Sequence, residues 1–255
     1  QKVIFEAGAN YVGHELMVPN VNDYRSQEWN DHGRMIIQQP DGLYEMSNVC
    51  RHRQAIMLEG SGNTKNIVCP IHRWTYDCGG TLVGAPHFVS NPALSLKKQK
   101  LENWQGLLFK GPRSADVDLA SMRFKNMFDF KGYRLDRVEL HECNYNWKTF
   151  IEVYLEDYHV TPYHPGLGGF VTCDDLSWQF ADWYSVQQVG IQSLAKPGSA
   201  IYHRWHKVVL DYHNGELPKS GAIWLTYYPN IMVEWYPQVL VVSRLIPQDV
   251  NKTLN

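Results

Sequence analysis

The sequence predicts an α+β fold in two parts, an all-β first half and a second half that combines a helix with antiparallel strands. Three observations support this prediction. Short β-like runs separated by turn residues fill 11–110, apolar residues recur at helical spacing over 146–159, and apolar runs rich in β-branched and aromatic residues follow near the end of the chain. These late runs cover 222–228, 231–236 and 239–246.

The first half is expected to form a small all-β domain. Its runs, of which 11–19 and 106–109 are examples, are short, apolar and bounded by turn residues. A polar stretch over 111–118, which contains Gly111 and Pro112, follows and is the most natural domain boundary.

The helix over 146–159 is predicted from one continuous apolar face. Thr161 precedes Pro162, which disfavours helical dihedrals at Thr161, so the helix should end near His159 and His164 should lie past a turn. Residues 195–220 show no clear pattern and receive no assignment. The apolar face consists of Trp147, Phe150, Ile151, Tyr154, Leu155 and Tyr158.

The composition is that of a globular protein. The 255 residues are 44% hydrophobic and 20% charged, which permits a sizeable core in one large or, as we expect, two smaller domains. A net charge of −2 with dispersed Lys and Arg argues against nucleic-acid binding. No apolar run approaches the ~20 residues of a membrane span and Gln1 opens no signal segment, so we expect a cytoplasmic protein without a membrane partner.

Four residues form a C-x-H motif and, sixteen residues later, a C-x-x-H motif: Cys50, His52, Cys69 and His72. Thiolates suit iron–sulfur clusters and zinc, and two imidazoles that replace two thiolates on one iron of a [2Fe–2S] centre raise its reduction potential. A structural Cys2His2 zinc site uses the same residue types but usually pairs cysteine with cysteine and histidine with histidine. The mixed pairs therefore favour the iron–sulfur cluster.

Glu156, His159 and His164 surround the predicted end of the helix. Two histidines and a carboxylate on one face bind mononuclear non-haem iron and leave open positions for O2. Residues five apart on a continuous helix point about 140° away from each other, so the imidazoles meet only if the helix breaks, as Pro162 predicts. The alternative is that His159 is a helix-terminal imidazole favoured by the macrodipole and His164 an ordinary loop residue.

Both motifs together resemble the large (alpha) terminal oxygenase subunit of the Rieske non-haem iron oxygenases, the aromatic-ring-hydroxylating dioxygenase family. The resemblance extends from Tyr11 to the strands that end near Ile246. It implies an all-β Rieske [2Fe–2S] domain over 11–112. It also implies, over 1–10 and 113–255, a catalytic domain with a curved antiparallel sheet in a helix-grip-like arrangement. The segments that carry the resemblance are 47–53, 69–77, the Gly79-Gly80 turn, Asn146-Trp147-Lys148, Glu152 and the series Glu156-x-x-His159-x4-His164.

The resemblance also implies the cofactors. In the family, one cluster iron takes two cysteines, the other takes two histidines, and a mononuclear Fe(2+) takes two further histidines. Here these ligands would be Cys50 and Cys69, His52 and His72, and His159 and His164.

Glu156 occupies the place of an acidic residue that, in the family, bridges the first iron histidine to a cluster histidine of the neighbouring subunit and so passes electrons between subunits. The family usually has Asp there. Glu resembles the quaternary-ammonium branch, which demethylates or hydroxylates betaine- and carnitine-type compounds. A carboxylate on a ligand histidine would fix its tautomer and raise its basicity. Lys148, Glu152 and Glu156 also form an i, i+4 ladder, which is most often a solvated face.

The family's third iron ligand is an Asp that follows the last strands, and no residue of this chain matches it. Glu234 and Asp249 are the nearest late carboxylates, but Glu234 lies in a strand-like run and Asp249 in a turn. Because the chain begins with Gln1 rather than Met, we expect it to be part of a longer protein that carries this ligand beyond residue 255. The alternative is a chain that lacks a working iron centre.

The resemblance implies a terminal oxygenase that uses O2 and electrons from NAD(P)H, delivered by a flavin- or ferredoxin-type reductase. It would hydroxylate or demethylate a small organic substrate, either an aromatic compound or a quaternary amine, and act as a homotrimer. The alternative is a Rieske-type electron-transfer protein without a working mononuclear iron site. Aromatic residues of the second half are candidates for a pocket, although most such residues are core. The candidates are Phe170, Trp178, Phe180, Trp183, Tyr184, Trp224, Tyr227, Trp235 and Tyr236.

Overall fold

The computed structural model describes residues 2–194 and 199–255, and these residues form two compact units. The first unit comprises the chain up to Asp116 together with Lys131–Val138. The second comprises Val117–Phe130 and Glu139–Asn255. Antiparallel strands dominate both units and helices are interspersed in the second, so the predicted α+β fold is confirmed.

The first unit consists of short strands in three antiparallel sheets. Its elements are α1 Lys2–Phe5, β1 Asn10–His14, the 3-10 helix Glu15–Met17, β2 Asp23–Gln27, β3 Asp31–Gln39, β4 Gly42–Ser47, β5 Ser61–Asn63, β6 Asn66–Val68, β7 Thr75–Asp77, β8 Leu82–Gly84, β9 Lys98–Lys100, β10 Glu102–Trp104 and β11 Leu107–Lys110. The five-stranded sheet has the order β5-β2-β3-β4-β9, and the smaller sheets have the orders β1-β11-β10 and β6-β7-β8.

Strand β3 shows how the first unit is layered. Successive side chains of a strand point to opposite faces, and β3 buries both of them. Met35 and Ile37 pack in one cluster with Tyr76 of β7, whereas Ile36 packs in another with Leu108 of β11. The five-stranded sheet therefore lies between the two smaller sheets, and the loops that follow β4 and β6 extend from this core.

The second unit is built on a five-stranded antiparallel meander with the order β13-β14-β15-β16-β17, and a small sheet has the order β12-β19-β18. The three late strands are confirmed as consecutive antiparallel neighbours. From residue 115 onward the elements are α2 Ala115–Asp118, the 3-10 helix Lys125–Phe128, β12 Glu142–Cys143, α3 Trp147–Tyr154, α4 Val160–Tyr163, α5 Pro165–Gly168, β13 Val171–Phe180, β14 Tyr184–Ile191, α6 Ala200–Tyr212, β15 Ala222–Tyr227, β16 Ile231–Tyr236, β17 Val239–Arg244, β18 Ile246–Asp249 and β19 Lys252–Leu254.

Helices α3 and α6 cover one face of the meander. Trp224 packs in a cluster with Val209 of α6, and Met232 packs with Ile151 of α3. Trp224 is paired directly opposite Glu234, and Met232 is two residues before Glu234, so all three point to the same face. This helix-covered face is the interior of the second unit.

The helix predicted over 146–159 ends earlier, because α3 stops at Tyr154 with Leu155 as its C-cap. The Glu156 carboxylate accepts a hydrogen bond from the backbone N–H of Tyr158 at 2.6 Å. Such a local side-chain contact competes with helical hydrogen bonding. Tyr158, expected on the apolar face, is instead 86% exposed.

Pro162 does not break the helix as predicted. It is the third residue of α4, where its missing N–H would have no helical partner in any case. The helix continues through it, since the N–H of His164 donates to the Val160 carbonyl at 2.8 Å. The break that separates His159 from α3 therefore lies at 155–158.

Within the part of the chain that the structure describes, no helix combines the length and the apolar character needed to cross a membrane.

Candidate metal centres

The first candidate site is formed by the two loops that follow β4 and β6. Cys50 and Cys69 are buried in the core cluster of the first unit, whereas His52 is half-buried and His72 is exposed. The two imidazole rings lie 4.8 Å apart, centroid to centroid, at 70° to each other. The loops thus bring the two histidines together near the surface, with both cysteines deeper in the unit.

The two loops share one backbone design. The N–H of Cys50 donates to the Ala55 carbonyl at 2.9 Å, and the N–H of Cys69 donates to the Trp74 carbonyl at 2.8 Å. In each loop the residue four positions after the cysteine, Gln54 or Arg73, has a φ of 60° and donates its N–H back to the cysteine carbonyl. Both cysteines therefore begin equivalent tight turns, although the C-x-H and C-x-x-H spacings differ.

Two side chains that the motif did not predict contact the proposed ligands. The Tyr76 hydroxyl lies 3.6 Å from Cys50 Sγ and accepts a hydrogen bond from the Arg51 N–H at 3.1 Å. Trp74 stacks on the His52 ring at 4.9 Å and 7°. Burial, and then the contact with Cys50, raise the pKa of Tyr76 well above its usual range, so its proton is retained. The only sequence signal for either residue is that both follow the C-x-x-H motif closely.

These residues fit a two-iron cluster better than a single ion. His52 Nδ1 is buried and has no hydrogen-bond partner among the described residues, which leaves a ring nitrogen available as a ligand. Desolvation, with His72 and Arg53 nearby, keeps the pKa of His52 below its ordinary value. Within 2–194 and 199–255, no three His, Cys, Asp or Glu side chains converge on one ion. A [2Fe–2S] cluster needs no such convergence, because each iron takes only two protein ligands.

The second candidate site follows α3. The rings of His159 and His164 lie 5.3 Å apart at 75°, and the one-turn helix α4 between them sets this spacing. One oxygen of the Glu156 carboxylate contacts Nδ1 of His159, and the other accepts the Tyr158 N–H. The structure therefore brings together the three residues that the sequence singled out in this half.

The donor set fits a non-haem iron in part. With Nδ1 of His159 bound to a carboxylate, Nε2 is the nitrogen left for a metal, and a carboxylate on the outer nitrogen is the usual support of a ligand histidine. Two neighbouring imidazoles are two of the three ligands such iron requires. In the described residues no third His, Cys, Asp or Glu joins this pair.

The aromatic candidates fall into two groups. Tyr184 and Tyr227 are fully buried, whereas Trp178 and Phe180 are 41% and 68% exposed. Trp224 and Tyr236 lie on the helix-covered face of the meander and are joined by a hydrogen bond, Trp224 Nε1 to the Tyr236 hydroxyl at 3.2 Å. The two fully buried tyrosines also have polar partners, since the Tyr227 hydroxyl donates to Asp118 at 2.8 Å and the Tyr184 hydroxyl lies 3.3 Å from Ser121 Oγ.

Comparison with protein families gives two matches that cover most of the chain. Residues 9–102 match the Rieske [2Fe–2S] domain. Residues 124–255 match the ring hydroxylating alpha subunit, catalytic domain. The cluster residues lie within the first match, and the two histidines after α3 lie within the second.

Two relatives cover nearly all of this chain. The putrescine 2-hydroxylase of Ralstonia nicotianae is 60% identical over 253 residues, which are 99% of this chain and 69% of that protein. The putrescine 2-hydroxylase of Bordetella bronchiseptica is 51% identical over 271 residues, covering 100% of this chain and 63% of that protein. The chain thus spans about two thirds of the length of these relatives.

Solved structures show the same fold. A quaternary ammonium Rieske monooxygenase in complex with its substrate L-carnitine superposes with a TM-score of 0.76 at 23% identity, over 99% of this chain and 68% of that one. Naphthalene 1,2-dioxygenase with bound indole gives a TM-score of 0.72 at 20% identity, over 99% and 66%. Together with the two family matches, this shared fold confirms the predicted arrangement of an N-terminal Rieske domain followed by a catalytic domain.

The family matches and the identity to two hydroxylases confirm the predicted oxidoreductase class, a terminal oxygenase that acts on small substrates with an iron–sulfur cluster and iron. The chain belongs to the Rieske-type ring-hydroxylating oxygenase family, as an alpha-type subunit with a cluster domain and a catalytic domain.

Proposed function

We propose that this chain is the oxygenase component of a system that hydroxylates a small aliphatic amine, with a putrescine-like diamine as the first candidate. The observation that carries the proposal is the identity of 60% over 253 residues to a putrescine 2-hydroxylase, which spans both candidate metal centres. Identity this high over both domains favours the same substrate class over the aromatic compounds expected from the family resemblance. The quaternary amines oxidised by the carnitine relatives, at 30% identity or less, are the second candidate class.

The residues of each centre have separate roles in the proposal. Cys50, Cys69, His52 and His72 would hold the cluster, and His159 and His164 would hold the iron. When bound, these groups supply one-electron transfer and O2 activation, respectively. Glu156 keeps the proton of His159 on Nδ1, so the Nε2 lone pair remains directed to the metal position.

The electron route is also part of the proposal. NAD(P)H would deliver electrons through a reductase to the cluster, where the exposed ring of His72 provides access. In a homotrimer, Glu156 would then connect His159 to a cluster histidine of the neighbouring subunit. Each carboxylate oxygen has two acceptor positions, so the contacts of Glu156 with His159 and Tyr158 leave capacity for a third donor.

The alternative of a Rieske electron carrier without its own chemistry is less well supported. A carrier needs only the first centre, whereas this chain also places two histidine rings 5.3 Å apart with a carboxylate on one of them. Such an arrangement has no use in a protein that only passes electrons.

The test is turnover of 1,4-diaminobutane by the full-length oxygenase with a reductase, NADH and O2. We expect a product with one added hydroxyl group, formed in step with NADH oxidation. His159→Ala should retain the visible spectrum of the cluster and lose turnover. Oxidation of a quaternary amine or an aromatic compound, but of no primary amine, would refute the substrate class. Undiminished turnover by His159→Ala would refute the iron site.

A further inference from the structure

A row of polar and aromatic side chains lies on the helix-covered face of the meander. Gln187 of β14 is paired opposite Trp224 of β15, which is paired opposite Glu234 of β16. Directly opposite residues of antiparallel strands project to the same face. Tyr236, two residues beyond Glu234, joins them there. The helix-covered face therefore carries a half-buried carboxylate flanked by aromatic side chains.

Glu234 is bound to its aromatic neighbours but to no cation. Its Oε2 accepts a hydrogen bond from the Tyr236 hydroxyl at 2.7 Å, and that hydroxyl accepts one from Trp224 Nε1 at 3.2 Å. Burial raises the pKa of Glu234, and the Tyr236 hydrogen bond opposes this only in part. Across 2–194 and 199–255, no Lys, Arg or His forms an ion pair with it. Glu234 is half-buried, and a carboxylate that is partly withdrawn from water without a positive partner is costly for a fold. This cost suggests that the carboxylate serves a purpose other than stability.

Several buried polar atoms on the same face also lack partners. In the described part of the chain, this holds for the Tyr154 hydroxyl, Gln187 Oε1, Ser185 Oγ and Thr226 Oγ1. Gln187 is 1% exposed, and its Nε2 donates a hydrogen bond to the Tyr154 carbonyl at 3.1 Å. The Oε1 of Gln187 remains available to a donor. Buried polar groups are nearly always hydrogen-bonded. Such a concentration on the same face as Glu234 indicates that a polar ligand completes the set.

We propose that Glu234, with Trp224, Tyr236 and Tyr154 around it, binds an alkylammonium group of the substrate. The carboxylate supplies the opposite charge, and the electron-rich aromatic faces favour a cation. A primary ammonium has three N–H donors and no acceptor, which matches the unpartnered oxygens, Gln187 Oε1 among them. A quaternary ammonium has no N–H to offer them. The site therefore selects primary amines.

This inference rests on the proposed amine substrate, and it assigns the recognition of the ammonium group to Glu234. Glu234→Gln is the informative variant because it keeps the size of the side chain and an acceptor for the Tyr236 hydroxyl, and removes only the charge. Glu216→Gln is the matched control, since it makes the same change at an exposed position of the second unit. The readout is the dissociation constant of the holoenzyme for 1,4-diaminobutane and for 1,4-butanediol, which has the same carbon chain but no ammonium group, measured by titration calorimetry.

We expect the wild type and Glu216→Gln to bind the diamine more tightly than the uncharged diol. We expect Glu234→Gln to weaken diamine binding about 30-fold or more, as for loss of one partner of a buried charge pair, and to lose most of the preference. The preference is the ratio of the two dissociation constants measured on the same variant, so differences in the fraction of active protein between variants cancel. The melting temperature of Glu234→Gln should equal or exceed that of the wild type, since a partly buried charge without a positive partner is removed.

Two outcomes refute different statements. A preference for the diamine that survives in Glu234→Gln would refute the subsite and leave the proposed function intact. A wild type that does not bind the diamine would refute the proposed function and the subsite with it. If Glu234→Gln fails to fold, Tyr236→Phe replaces it. This variant removes the hydroxyl that stabilises the charged carboxylate, so the preference should fall several-fold, and an unchanged preference would refute the subsite.

Discussion

The contacts of Tyr76 predict that its hydroxyl group affects the reduction potential of the cluster. Because its hydroxyl oxygen already accepts the Arg51 N–H, its own proton is free to point at Cys50 Sγ, 3.6 Å away. Hydrogen bonds to cluster sulfurs favour the reduced, more negative state.

Tyr76→Phe should therefore lower the reduction potential of the cluster. If the hydrogen bond differs by about 1 kcal/mol between the two redox states, the shift is about 40 mV for a one-electron couple. Redox titration followed by EPR spectroscopy measures it. Trp74→Phe, which changes the ring stacked on His52 without touching a sulfur, is the comparison variant. An unchanged potential in Tyr76→Phe would mean that the hydroxyl does not donate to the sulfur.

At the residue scale, the spacing of the motifs predicted which histidines lie close together in the structure. It did not predict which neighbouring side chains contact them. The pairs His52–His72 and His159–His164 were indicated by their motifs, and each pair of rings lies close together. The Glu156–His159 contact forms as helical register suggested, although α3 has already ended. Glu234 was set aside as a strand residue. Its importance depends on cross-strand register and burial, which no local pattern encodes.

The 3-10 helix Glu15–Met17 illustrates how one element ties stability to pH. His14 is its N-cap, is 5% exposed and accepts the Leu16 N–H on Nδ1 at 3.1 Å. Burial lowers its pKa from 6.5 to about 4. Between these values the unfolded chain binds the proton more readily than the folded chain does. The contribution of neutral His14 to the stability of the folded protein is thus fully present above pH 6.5. It is lost as the pH falls towards 4.

When the pH falls from 7.5 to 5, we expect the titration of His14 to lower the free energy of unfolding by about 2 kcal/mol. His14→Asn keeps an acceptor at the cap and removes the titration. Urea unfolding at both pH values should therefore show a smaller loss in the variant than in the wild type. Other groups titrate equally in both proteins and cancel in the difference. Equal losses would contradict the role of His14.

At the element scale, strands made of continuous apolar, β-branched and aromatic residues could be predicted from the sequence. A helix that depends on tertiary contacts could not. The meander strands β15 to β17 follow their apolar runs to within two residues. Strand β13 was missed because its burial is irregular and a register shift interrupts its pairing with β14. Helix α6, Ala200–Tyr212, lies in the stretch without an assignment, of which 195–198 lie outside the described residues. It is held by Trp205, whose Nε1 donates to the Pro237 carbonyl at 2.9 Å.

At the scale of the whole molecule, the proposed ligands of the two metal centres lie in separate units. All four proposed cluster ligands belong to the first unit, and both proposed iron histidines with Glu156 belong to the second. Because each set of proposed ligands comes from one unit, we expect loss of one metal centre to leave the other in place.

Metal analysis of the full-length protein tests this separation. We expect about three irons and two sulfides per wild-type chain, two of the irons belonging to the cluster. The double variant His159→Ala, His164→Ala should contain about two irons and two sulfides and keep the EPR signal of the reduced cluster. Cys69→Ser should lose the sulfide and that signal, because one thiolate cannot hold the first iron in the buried loop. Loss of sulfide in the histidine variant would show that the two centres depend on each other, and zinc without sulfide in the wild type would refute the cluster itself.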